Sequence, residues 1–292
     1  MEQEWEDMNM TTEYFERTKY YREKYGSNTI VLMQCGTFYE MYGHKTTAET
    51  EYKGSLIHEF SLKCNMTISA KKIKPKGEGH ETIYMAGFRD YSLEKYVKKL
   101  VDHEFTVVVI SQREEKMQQS GAKKMERFVE GIYSPGTHMS YETETDQQWN
   151  KHLMCIWMQP YKNTHYIIGS SILNIFTGQS YLLEHQIQSK LQSTSFDELE
   201  KCISIYRPKE VLFICDNEKM LSRIYGLQSV FVHSYNSDMV AVNNAEKQVY
   251  RRHILNKYFG EEAIYQCSEF SQCELATQSF CFLLNFLEEH NK

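Results

Sequence analysis

The chain has 292 residues, a formal net charge of −6 and 41% hydrophobic residues, with 21 Tyr and 15 Phe but only 4 Pro. That length suits two domains of ordinary size, each able to bury its own core, and the charged and apolar fractions are those of a soluble globular protein. No apolar run approaches the roughly 18 residues that a membrane helix needs, and the acidic start of the chain is unlike a signal peptide.

The 8 Cys form no C-x-x-C pair, and no His stands at ligand spacing to paired Cys, so a zinc site is not expected. Cysteines set in apolar runs read instead as reduced core thiols of an intracellular protein. The charge is unevenly divided: residues 1–10 carry −4, residues 11–140 carry +3 and residues 141–292 carry −5. The middle segment therefore has the modest positive balance of a surface that touches phosphates.

In chain order, residues 13–25 set Tyr14, Phe15, Tyr20 and Tyr21 among charges at helical spacing, and Gly26-Ser27-Asn28 ends that helix. Residues 29–34 form a buried strand, which 38–42 continue or follow. Residues 49–60 read as irregular, 65–69 as strand-like, and Ala70 to Gly77 as a basic loop with Lys71, Lys72, Lys74 and Lys76. A helix follows at 92–103, with Leu93, Tyr96, Val97 and Leu100 on one face behind Ser92 as N-cap. Residues 105–111 are a β-branched strand, and 113–127 read as polar and mobile.

Residues 134–150 lose all periodicity and mark a domain boundary. Strands at 153–158, 166–176 and 179–183 then form a meander turning at Thr177-Gly178. A helix at 195–206 aligns Phe196, Leu199, Cys202, Ile203 and Tyr206, and 211–215 is the next strand. Residues 273–290 are apolar and helical, and the face at 273–286 has no later segment to pack on.

The richest stretch in chemistry is Gly36-Thr37-Phe38-Tyr39-Glu40-Met41-Tyr42. A strand throws alternate side chains to opposite faces, so Phe38 and Glu40 project one way and Tyr39 the other. Tyr39 and Tyr42 read as core. An aromatic wedge two residues before an acceptor-only carboxylate is a tool for probing stacked bases: the ring enters a base step and the carboxylate accepts from a base edge.

This segment resembles the phenylalanine-x-glutamate element of MutS-type mismatch-recognition proteins, and further blocks resemble that family in the same order. Met85-Ala86-Gly87 and the helix after it resemble the M-A-G block, and the strand ending at Gln112 is similar to the family's strand ending in glutamine. Val129 to Thr137 resembles the V-x-x-x-x-T-P-G-T exit from the recognition domain. Leu173-Asn174-Ile175-Phe176-Thr177-Gly178 resembles the connector's L-D-I-x-x-G, and Arg207 to Phe213 its N-P-x-E-L-L segment. Three places depart from the pattern: Thr37 replaces Asp, Gly43-His44-Lys45 replaces an acidic pair, and Arg89-Asp90-Tyr91 replaces P-Y-H.

The resemblance implies a mixed α/β (α+β) fold in two domains. Residues 11–134 would be the mismatch-recognition domain, a mixed sheet with helices, and 135–150 a linker. Residues 151–270 would be a ribonuclease-H-like connector, and 271–292 the start of a long core or lever helix. It implies binding of double-stranded DNA with mismatches or small loops, Phe38 wedging at the mispair and Glu40 bonding the base. Lys63, Lys71, Lys72, Lys74 and Lys76 would be phosphate contacts, with Lys71 closest to the family's basic residue. A second MutS-like subunit and repair partners meeting the connector are the further partners it implies.

No G-x-x-x-x-G-K-[ST] motif is present, so no P-loop and no enzyme activity is expected, with no cofactor in this chain. ATP and magnesium belong to full-length family members, and the bare apolar face at 273–286 favours an N-terminal fragment. A two-metal nuclease needs converging carboxylates, and Asn174 stands where the connector strand carries Asp. The alternative reading is a MutS-derived module for protein interaction or nonspecific nucleic-acid binding without mismatch preference.

Overall fold

The structure, a computed structural model, describes residues 9–45, 50–71, 82–116, 123–138, 151–262 and 267–290. The chain divides into two compact units, Met1–His138 and Met139–Glu289.

The first unit is a six-stranded mixed sheet in the order β3-β4-β2-β1-β5-β6. Helix α1 (Met10–Tyr25) buries Tyr14, Tyr21 and Tyr25 along one stripe and ends at Gly26, whose φ of 98° suits glycine. β1 (Thr29–Cys35) pairs in parallel with β5 (Thr106–Lys116), from Ile30 beside Val107 to Met33 beside Ile110. Strands buried on both faces read as unbroken apolar runs, as these two do.

β1 returns as β2 (Phe38–Lys45) through a two-residue turn with Gly36 at φ 62°. β2 pairs antiparallel with β4 (Thr82–Arg89), to which the short β3 (Ser69–Ala70) adds an edge. Helices α2 (Ile57–Cys64) and α3 (Leu93–Val101) complete the unit.

Four local expectations are corrected. Residues 49–60 are not irregular throughout: Ile57, Phe60 and Cys64 recur at helical spacing and form the buried stripe of α2. Asn65 does not begin a strand but takes a left-handed conformation that ends α2. Ser92 makes no side-chain capping bond, because the turn Asp90–Ser92 leads straight into α3. Residues 113–116 and 123–127 are held in strands, for β5 and β6 (Lys123–Tyr133) pair there and Arg113 is bridged to Glu126 at 2.6 Å, whereas 117–122 lie outside the described residues.

The second unit is a five-stranded sheet in the order β11-β10-β7-β8-β9. β7 (His152–Tyr161), β8 (His165–Asn174) and β9 (Ser180–Gln188) form an antiparallel meander. After α4 (Asp197–Tyr206), β10 (Glu210–Ile214) pairs in parallel with β7, and β11 (Phe231–Tyr235) in parallel with β10. A three-strand meander extended on its first strand by two parallel strands is the ribonuclease-H-like arrangement.

Strand alternation sorts the two faces of this sheet. Leu153, Cys155 and Trp157 face α5 (Val240–Ala245), α6 (Gln248–Phe259) and α8 (Glu274–His290), which the short α7 (Glu269–Gln272) precedes. Met154, Ile156 and Met158 face α4 and the turns after β10. The apolar face at 273–286 is therefore not bare. Phe280, Cys281, Leu283 and Phe286 lie in this core, and burial of each large apolar side chain is worth about 1.5–3 kcal/mol.

A close backbone approach makes that docking possible. A Cβ on Gly169 would stand 2.3 Å from the Leu275 carbonyl carbon and 2.4 Å from the Ala276 nitrogen. Glu184 of β9 accepts hydrogen bonds from the Leu275 and Ala276 amides at 2.8 and 3.1 Å, placing its carboxylate at the N-terminus of α8. All eight cysteines are free thiols, and Cys64, Cys155, Cys215 and Cys281 are buried. Burial pushes each of those four thiols up, away from the reactive thiolate.

Candidate nucleic-acid interface

The candidate interface lies at the turn end of β1 and β2. Phe38 opens β2 beyond the Gly36-Thr37 turn and is 41% exposed, while Tyr39, Glu40, Met41 and Tyr42 after it are buried. The turn is clamped from three sides. Gln34 Nε2 and Gln112 Nε2 both donate to the Gly36 carbonyl, at 3.1 and 3.3 Å, and the Gln112 amide donates to Gln34 Oε1 at 2.9 Å. From the turn after β4, the Asp90 amide donates to the Thr37 carbonyl at 3.0 Å. An apolar ring held in water on a turn this constrained costs little ordering when it binds.

The expected alternation is present. Tyr39 points to the face of α2 and α3: its ring stacks on Phe88, and Phe88 meets Phe60 and Tyr96. Its hydroxyl bonds Ser111 Oγ at 2.6 Å and Glu130 Oε2 at 3.0 Å, and burial pushes its pKa up to about 12. Glu40 and Tyr42 share the α1 face, where Tyr42 meets Tyr14 edge-on at 5.0 Å.

Glu40 is only 8% exposed. Tyr42 donates its hydroxyl to Glu40 Oε2, Lys71 Nζ donates to the Tyr42 hydroxyl at 2.9 Å, and the ammonium stands 3.7 Å from the same carboxylate oxygen. The Lys71 ammonium also lies 4.2 Å over the Tyr42 ring. Burial, then the Glu40 carboxylate, drives the Tyr42 pKa far above the ordinary range, so its hydroxyl stays a neutral donor. Among the described residues nothing donates to Glu40 Oε1, which leaves that oxygen as the acceptor of the pair.

Gly87 of the M-A-G block explains why this carboxylate fits. It lies opposite Glu40 in the β2–β4 register, and a Cβ there would stand 2.5 Å from the Tyr39 carbonyl oxygen and 3.3 Å from Glu40 Cγ. Any larger residue would push Glu40 aside.

The two described lysines, Lys63 and Lys71, do not share a face of the sheet. Lys71 turns inward onto Tyr42 and Glu40, with its side chain 23% exposed. Lys63 is exposed in the last turn of α2, a helix on the sheet face opposite Glu40. Lys72, Lys74 and Lys76 lie outside the described residues. Arg89, Gln34 and Gln112 escaped the sequence reading as site residues. The glutamines closing two apolar strands were the one signal for the clamp.

Asn174 accepts from the Phe176 and Thr177 amides at 3.0 and 3.1 Å, shaping the turn out of β8. Among the described residues no group of three or more His, Cys, Asp and Glu side chains converges as a metal site would, and no helix is long and apolar enough to cross a membrane.

The family model for MutS domain I matches residues 15–142. A putative DNA mismatch repair protein mutS homolog of Acanthamoeba polyphaga mimivirus is 26% identical over 242 residues, covering 80% of this chain and 19% of its own length. The mitochondrial DNA mismatch repair protein mutS homolog of Sarcophyton glaucum is 25% identical over 232 residues, covering 74% and 22%. DNA mismatch repair protein MutS of Fusobacterium nucleatum is 24% identical over 285 residues, covering 98% of this chain and 28% of its own length. The chain spans about a fifth to just over a quarter of the curated relatives it matches. Residues 15–142 are thus similar to MutS domain I, and most of the chain is similar to the N-terminal part of MutS-type DNA mismatch repair proteins.

Proposed function

We propose that this chain binds mismatched double-stranded DNA in mismatch repair, Phe38 wedging at the mispair from the minor-groove side and Glu40 accepting a hydrogen bond from the displaced base. The reading rests on one juxtaposition within a MutS domain I: an exposed ring on a clamped turn, two residues from a recessed carboxylate with a spare acceptor. A mismatched step unstacks more cheaply than a matched one, so deformability is read as energy, and a step is worth a few kcal/mol.

In this reading Lys63, Lys72, Lys74 and Lys76 supply phosphate contacts that set register without reading sequence, and Lys71, expected among them, instead holds Glu40 and Tyr42. Substrates are mismatches and small loops. A second MutS-like subunit and repair proteins are the partners assigned to the second unit's surface. No ATP turnover or DNA cutting is assigned to this chain.

Fluorescence anisotropy on paired matched and mismatched duplexes tests the proposal. The parent chain should favour the mismatch, and Phe38→Ala should bring the ratio to near one while leaving weak, salt-sensitive duplex binding. Equal binding of both duplexes by the parent points to a nonspecific module, and no duplex binding to a protein-interaction module. Either result overturns mismatch reading.

A further inference from the structure

The residue best placed to act with Phe38 comes from another strand. Phe38 lies directly opposite Arg89 in the β2–β4 register, and cross-strand partners emerge on the same face of a sheet. The Arg89 guanidinium stands over the Phe38 ring, its carbon 5.8 Å from the ring centroid, within range of a cation–π contact. Arg89 is exposed and makes no ion pair or hydrogen bond through its guanidinium among the described residues. The neighbouring Asp90 forms no ion pair with it among the described residues, its carboxylate accepting instead from the Tyr91 amide at 2.8 Å. The bond from the Asp90 amide to the Thr37 carbonyl ties the end of β4 to the turn that carries Phe38. Ring and cation are thus presented together by one fixed framework.

A cation resting on one face of the ring leaves the other face and the edge for a partner. A nucleotide fits both parts, since its base offers a π-face to the ring and its backbone phosphate a counter-charge to the guanidinium. Arginine suits that place better than lysine, for its planar fork stacks on an aromatic and still reaches a phosphate with two N–H groups. We propose that Arg89 is a second DNA-contacting residue of this interface, binding the backbone phosphate beside the nucleotide against which Phe38 stacks. The proposal deepens the mismatch-binding reading and rests on it.

Salt titrations of the full chain on matched and mismatched duplexes test it, comparing the parent with Arg89→Gln, Arg89→Lys and Phe38→Ala. Arg89→Gln should weaken binding to both duplexes several-fold. It should also flatten the slope of log K against log salt by about one ion while leaving the mismatch-to-match ratio unchanged. Arg89→Lys should keep the slope and lose part of the affinity, because an ammonium cannot stack and fork together. Circular dichroism checks that each variant folds. An unchanged slope and affinity in Arg89→Gln, with the ratio still lost in Phe38→Ala, overturns the Arg89 assignment and leaves the function reading intact. Loss of the ratio in Arg89→Gln with an unchanged slope overturns the phosphate assignment in favour of a base contact. A ratio untouched by Phe38→Ala overturns the function reading itself.

Discussion

Strand β7 of the second unit and strand β2 of the first treat their faces in opposite ways. In the second unit β7 is covered on both faces, odd residues by α5, α6 and α8 and even ones by α4, so Leu153 to Met158 are all buried. In the first unit β2 begins with a ring 41% exposed and carries a carboxylate and a phenol that Lys71 joins in one chain of contacts. A scaffold gains from sealing both faces with apolar side chains, whereas a reading surface must leave a ring in water and hold it still. The cost of that ring is met locally, by the glutamine clamp and by Arg89 over its face.

If the contrast is right, the largest stability loss comes from crowding the sealed sheet. Gly169→Val forces side-chain atoms into the backbone of Leu275 and Ala276 and should cost the second unit about 3 kcal/mol. Hydrogen exchange would show β7 and β8 amides losing protection while those of β1 and β5 keep theirs. Equal protection in parent and variant would sink the close-approach argument.

A smaller loss is expected in the first unit from Tyr42→Phe, which removes the hydroxyl between Lys71 and Glu40 while keeping the ring. Leaving a buried carboxylate short of a donor should cost about 1–2 kcal/mol, read as a lower urea midpoint for the first unit. An unmoved midpoint would mean that the bridge adds nothing to stability. Glu184→Gln keeps an acceptor at the α8 N-terminus but removes its charge, and should cost about 0.5–1 kcal/mol. Thermal melts at low and high salt check this, since a dipole effect should shrink as salt rises. The smallest stability effect belongs to Phe38→Ala, within about 0.5 kcal/mol, because the ring is already in water. A larger loss would make Phe38 a core residue and weaken its reading as a wedge.

Much of the architecture was legible in the chain order of residues. Apolar runs marked β1, β5, β7 and β10, and helical spacing marked α1, α3, α4 and α8. The outward turn of Phe38 against Tyr39 followed from strand alternation alone. Misreadings arose where local composition spoke against the outcome. The polar residues 113–116 and 123–127 form strands because β5 and β6 continue a pairing that their apolar halves begin. Nothing in the sequence reading marked β11, α5 or α6. β11 is a short edge strand whose neighbour comes from β10, and α5 and α6 carry weak stripes that only the sheet completes.

For the candidate site, the sequence by itself determined the types and spacing of Phe38, Tyr39, Glu40 and Tyr42, since period-2 alternation is local to one strand. Only the tertiary structure decided what surrounds them. Register set Arg89 opposite Phe38 and Gly87 opposite Glu40, and the start of the basic loop turned Lys71 inward instead of toward solvent. Strand pairing joins segments far apart in sequence. Its register is fixed by which side chains fill the space between sheet and helices, and that is a property of the assembled core rather than of any one segment.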